Sequence, residues 1–179
     1  MKKLLFLTLV SFTIFTSCKQ PSTNDAGVQA STTATEDSLS GTFTSKDKKS
    51  VKLLTNIRLF AVQDTSYVND ITPDFTLKNL GDTAVIVRGH QELLAYHKNF
   101  YSLFTDLSFT DGNTFTYVIK NGDVWSAYFG EFIATGKFSK KKYVMPVSIW
   151  VRWNGDKVVH QTDMVDSKFV NEELAASKK

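Results

Sequence analysis

Residues 143–165 read YVMPVSIWVRWNGDKVVHQTDMV and alternate on both sides of an Asn-Gly pair. Tyr143, Met145, Val147, Ile149, Val151 and Trp153 share one parity, as in a strand with one buried face. Asn154-Gly155 is the dipeptide that a tight hairpin with positive φ favours. Residues 157–165 then return as the partner strand. The same pattern extends upstream. Asn121-Gly122 marks an earlier hairpin, between a strand through Phe115, Tyr117 and Ile119 and a long strand over 124–135. Asp111-Gly112-Asn113 interrupts the first of these after Phe109, and 136–142 is a basic turn with four lysines. A long antiparallel meander is therefore expected late in the chain.

Ahead of it the period changes. Residues 46–63 place Leu54, Ile57 and Ala61 on one stripe, which predicts a half-buried helix, with a short turn over 64–69. Short strands are expected over 74–78 and 84–87. A second helix is expected over 90–104, with Leu93, Leu94, Tyr96, His97, Phe100, Tyr101 and Phe104 as its apolar positions. Helices first and a meander last imply an α+β domain, one curved antiparallel sheet with N-terminal helices on its concave side.

The first 44 residues read as an address and a tether. Lys2 and Lys3 precede an apolar run of 12 residues, Leu4 to Phe15, and Thr16-Ser17 lead directly to Cys18. That run is shorter than the roughly 20 residues a bilayer span needs and has the shape of a secretory signal. The single cysteine at the cleavage point resembles the lipobox of bacterial lipoproteins, although Phe15 stands where that motif usually has leucine. The resemblance implies a lipidated (palmitate-bearing) Cys18, a membrane partner through the anchor, and a place in the bacterial cell envelope, on the outer membrane facing the periplasm or the surface. The expected division is 1–17 signal peptide, 18–44 lipidated cysteine and flexible tether, 45–172 globular domain and 173–179 disordered tail. Residues 19–44 are too polar to offset the entropy of ordering. Without Lys2 and Lys3 the mature chain has 19 basic and 18 acidic side chains. That balance offers no electrostatic footprint for nucleic acid.

Within the domain, Arg88-Gly89-His90-Gln91-Glu92-Leu93 resembles the glycine-led start of the third helix in SnoaL-like proteins of the nuclear transport factor 2-like superfamily. Phe104-Thr105-Asp106-Leu107-Ser108-Phe109 resembles their F-P-D-L-x-F, and Gly130-Glu131-Phe132 with Thr135-Gly136-Lys137 resembles G-E-F…T-G-K. Asn154 to Val159, ending at Asp166, resembles D-G-K-I-V-E-H-W-x-x-x-D. The likeness spans roughly residues 50–169. It implies a cone in which a curved sheet shelters a pocket, and an acid near the end of the last strand that handles a proton beside a carbonyl.

The candidates for that acid are Asp163 and Asp166. They lie on opposite parities, and which parity faces inward stays open. Where the family motif has Glu-His-Trp this chain has His160-Gln161-Thr162, and glutamine orients but does not shuttle protons at neutral pH. That departure favours a module that binds a small apolar or amphipathic ligand without catalysis. The alternatives are a cyclase- or isomerase-like enzyme using an aspartate, and a dimeric interaction module pairing through the outer sheet face as a homodimer. A buried aspartate within reach of a pocket tyrosine would favour the enzyme. Tyr96, Trp125, Tyr128, Trp150 and Gln161 are the candidate ligand-binding residues, while His97 reads as a core residue and His160 as a surface one. No cofactor is expected. The histidine spacing argues against a metal, and the chain has no phosphate-binding glycine loop.

Overall fold

The structure is a computed structural model that describes residues 41–44, 47–80 and 86–179. The signal segment, Cys18 and most of the expected tether lie outside the described residues. The elements run β1 (Gly41–Thr44), α1 (Lys48–Ala61), a 3-10 helix (Thr65–Asp70), β2 (Ile71–Asn79), β3 (Val87–Arg88) and α2 (Gly89–Leu103). They continue with β4 (Phe104–Phe109), β5 (Asn113–Ile119), β6 (Val124–Gly136), β7 (Lys142–Asn154), β8 (Lys157–Met164) and α3 (Lys168–Ala176). The strands form one sheet in the order β1-β5-β6-β7-β8-β2-β3, with β4 also paired to β6.

The meander is as expected. Both Asn-Gly pairs turn hairpins, with Gly122 and Gly155 at positive φ. β4 and β5 are one interrupted strand along β6, since β4 pairs with its C-terminal half and β5 with its N-terminal half. The register slips in β4 between Thr105 and Ser108, where Asp106 takes a φ of 54°. That is a bulge, and Asp is among the few residues that tolerate it.

Strand pairing and the ends of the domain need correction. β2 runs parallel to β8, so the sheet is mixed rather than wholly antiparallel. Gly41–Thr44, assigned to the tether, pairs with β5. Residues 173–176, assigned to a disordered tail, complete α3, and Glu173 is fully buried.

α1 starts at Asp47, whose carboxylate accepts from the Ser50 N–H at 2.7 Å and from the Thr116 hydroxyl at 2.8 Å. The cap, typically worth about 1 kcal/mol, thus also ties α1 to β5. The buried stripe of α1 is Ser50, Leu53 and Ile57, rotated from the expected Leu54 and Ala61. At the start of α2, Gly89 has φ +68°, and a Cβ there would stand 2.7 Å from the Pro73 carbonyl oxygen. Only glycine fits. Phe100, Phe104, Phe132, Tyr143 and Phe169 fill the space between α2, the sheet and α3, with ring centroids 4.8 to 6.1 Å apart.

Candidate functional site

Alternation on β8 sends Gln161 and Asp163 to the concave face and His160 to the convex one. A cavity of about 150 Å³ lies between that face, α1 and α2, with Phe169 and Val170 of α3 in its wall. Apolar side chains such as Ile57, Leu93, Val147 and Ile149 make up most of its lining.

Asp163 sits near the end of β8, in register with Asn79 of β2 and Ile149 of β7. Its Oδ1 accepts from Gln161 Nε2 at 2.8 Å. Asp163 is half-buried and lines the cavity. Burial pushes its pKa up to about 7, and the Gln161 hydrogen bond pulls only partly the other way. Tyr96 of α2 lines the same cavity. Burial raises its pKa, a hydrogen bond with Asn79 opposes that, and the nearby Asp163 charge adds to the rise. The phenol therefore stays protonated as a donor. A carboxyl that titrates near neutrality beside a neutral phenol is a pair suited to moving protons.

Deeper in the cavity wall, His97 of α2 is 8% exposed and hydrogen-bonded through Nδ1 to the Tyr67 hydroxyl. Burial lowers its pKa to about 4, so it stays neutral. Its ring packs on Phe60 at 4.7 Å. It is a satisfied core residue, as expected, with one edge on the cavity.

Of the expected site residues, Asp163, Gln161 and Tyr96 come together and the others do not. Asp166 is exposed outside the cavity and accepts from the Lys168 N–H at 2.9 Å, at the start of α3. Tyr128 is wholly buried, and its hydroxyl donates to the Thr110 carbonyl at 2.8 Å. Trp150 and Trp125 lie on the convex face. Trp150 packs on Phe115 and Phe129 and donates to Ser148 Oγ at 2.8 Å, and Trp125 packs edge-on against His160. By register they lie on the face opposite to Trp153, which points inward to Ser126 Oγ. His160 bonds Thr76 at 2.7 Å and Thr162 at 3.0 Å.

Asn56, Tyr67 and Asn79 line the cavity without having been expected there. Asn79 meets Asp163 only through the parallel β2–β8 pairing, which no local pattern announces. Asn56 neighbours Ile57 on α1, so the corrected helical stripe is the signal that could have found it. Among the described residues, no group of three or more His, Cys, Asp or Glu side chains could hold a metal ion.

No protein-family model and no curated protein matches this chain. Solved structures do. A candidate SnoaL-like polyketide cyclase from Shewanella denitrificans OS-217 superposes with a TM-score of 0.56 at 12% identity, over 72% of this chain and 97% of that one. A candidate isomerase from Bacillus subtilis gives 0.56 at 13% identity, over 72% and 93%. An NTF2-like protein of unknown function from Burkholderia pseudomallei K96243 gives 0.52 at 14% identity, over 68% and 93%. At such identities the likeness is one of architecture, and the chain has the nuclear transport factor 2-like, ketosteroid isomerase-like fold.

Proposed function

We propose that the pocket binds a small apolar or amphipathic carbonyl compound and that Asp163 exchanges a proton with the carbon beside the carbonyl. The observation that carries this reading is a single carboxyl in an apolar cavity, held neutral until about pH 7. As the carboxylate, Asp163 takes the proton. Gln161 holds its orientation, and the Tyr96 hydroxyl donates to the carbonyl oxygen as charge develops there. The volume suits a one-ring or short-chain molecule, since a 150 Å³ apolar cavity is of the size that admits benzene.

Cyclohexanone in D2O is a direct probe, with α-hydrogen exchange followed by NMR. The wild-type protein should accelerate exchange, with a rate that rises with pH through about 7 as the carboxylate forms. Asp163→Asn should lose that acceleration by about 10²-fold or more, the usual contribution of a positioned base. Undiminished exchange in the variant would remove Asp163 from the chemistry.

Cys18, as a lipid anchor, would hold this pocket at the outer membrane, facing the periplasm or the surface. The second reading is pairing of two copies. It is favoured by the convex face, where Phe129 is 38% exposed and stacks on Phe115 at 5.7 Å beside Trp150.

A further inference from the structure

The convex face of the sheet gathers cations and hydrogen-bond donors that the pocket does not use. Register places Trp125 of β6, Arg152 of β7, His160 of β8 and Thr76 of β2 in one row across the sheet. The next row holds Trp150, Thr162 and Lys78. Neighbouring strands lie about 4.8 Å apart, so side chains of the two rows share one patch. Both ring nitrogens of His160 are engaged, Nδ1 with the Thr76 hydroxyl at 2.7 Å and Nε2 with the Thr162 hydroxyl at 3.0 Å. Burial lowers the pKa of this ring, the Arg152 and Lys78 charges lower it further, and a backbone hydrogen bond at Thr76 opposes them. The ring is therefore neutral at pH 7, with both cations close to it. A neutral imidazole donates once and accepts once. One threonine hydroxyl thus accepts from the ring and keeps its own hydrogen for another acceptor.

These donors lack acceptors within the domain. Arg152 is exposed and Lys78 half-buried, and among the described residues neither has an ion pair or a hydrogen bond. No carboxylate is among the groups that act on His160. The indole N–H groups of Trp150 and Trp153 donate to serine hydroxyls, whereas that of Trp125 has no such partner among the described residues.

We propose that this patch binds a phosphate group, held by the Arg152 guanidinium, the Lys78 ammonium and a threonine hydroxyl positioned by His160. The occupant has to bring negative charge and several acceptors, since the patch offers donors. A phosphate spreads its acceptors tetrahedrally, which suits donors arriving from three strands, and one of its edges matches the fork of a guanidinium. The site is independent of the pocket reading, because it lies on the opposite face of the sheet.

Inorganic phosphate is the first probe. It is titrated into the full chain at constant ionic strength, and the Trp125 indole N–H is followed by 15N NMR. The wild-type protein should give a saturable shift. Arg152→Gln and Lys78→Gln should each weaken binding about tenfold, the loss expected for one charge-assisted contact. Lys98→Gln removes the same charge from α2 and should leave the affinity unchanged. Phenyl phosphate and vesicles of phosphatidic acid in phosphatidylcholine then separate the sources. Tighter binding to the ester assigns the site to a soluble phosphate compound, and tighter binding to the vesicles assigns it to a lipid headgroup. The proposal is overturned if the shift does not saturate, if both variants bind like wild type, or if Lys98→Gln weakens binding as much as they do. Arg152→Gln should keep the cyclohexanone exchange of the wild-type protein, so failure of either reading leaves the other standing.

Discussion

Asp163 and His97 face one cavity and titrate in opposite senses. The fold favours the neutral acid of Asp163, whose pKa rises to about 7 from an ordinary value near 3.9. Its contribution to stability is present at low pH and is lost as pH rises through that interval. The fold also favours neutral imidazole, so His97 drops to about 4 from an ordinary value near 6.5. Its contribution is full above about pH 6.5 and is lost as pH falls toward 4. Between these limits the two slopes oppose each other, each at most about 1.4 kcal/mol per pH unit. Removing one should expose the other. From pH 4.5 to 6.5, the melting temperature of His97→Phe should fall and that of Asp163→Asn should rise. Thermal melts across that range check both signs, and two flat profiles would contradict the burial of these groups. His97 was readable as a core residue from its place on an apolar helix face. The role of Asp163 was not, because parity shows only that Asp163 and Asp166 differ in direction, not which of them looks inward.

At the scale of elements, α3 depends on one acid. Glu173 is fully buried where α3 meets the β6–β7 turn, and its carboxylate accepts from the N–H groups of Phe138 and Ser139 and from the Ser139 hydroxyl. Burial works against its charge, but these hydrogen bonds prevail and hold the pKa below the usual range. Gly136 leaves room for the arrangement, since a Cβ there would meet Glu173 Oε2 at 2.1 Å. Glu173→Gln replaces one acceptor oxygen with a donor facing donors, and should cost about 2–3 kcal/mol at pH 7. Because the folded pKa is depressed, that difference should shrink as pH falls below about 4. Urea melts of both proteins at pH 7 and pH 3.5 measure it. A helix that buries one phenylalanine and one glutamate has little hydrophobic periodicity, so residues 173–179 looked like a tail. The β strands of the meander were legible for the converse reason. They alternate, and Asn-Gly pairs punctuate them, so strand and turn chemistry agree locally.

For the whole molecule, two proposals concern what surrounds the domain. If two copies pair through the convex face, Phe129→Arg should shift sedimentation equilibrium from dimer to monomer without changing cyclohexanone exchange. A wild-type protein that sediments as a monomer would end that reading. If Cys18 carries the anchor, Cys18→Ser should move the protein from the membrane to the soluble fraction of the cells, whereas unchanged partition would overturn the anchor. By itself the chain determined helices α1 and α2, the hairpins of the meander and the α+β class, because each rests on periodicity and turn preference within about fifteen residues, whereas the cone was implied by the resemblance to SnoaL-like proteins. Tertiary structure alone decided the parallel β2–β8 pairing, the inward face of β8 and the closure by α3. It therefore also decided that Asp163, Asn79, Tyr96 and Asn56 share one cavity. Those four side chains come from four elements, and only packing the sheet around the helices brings them together.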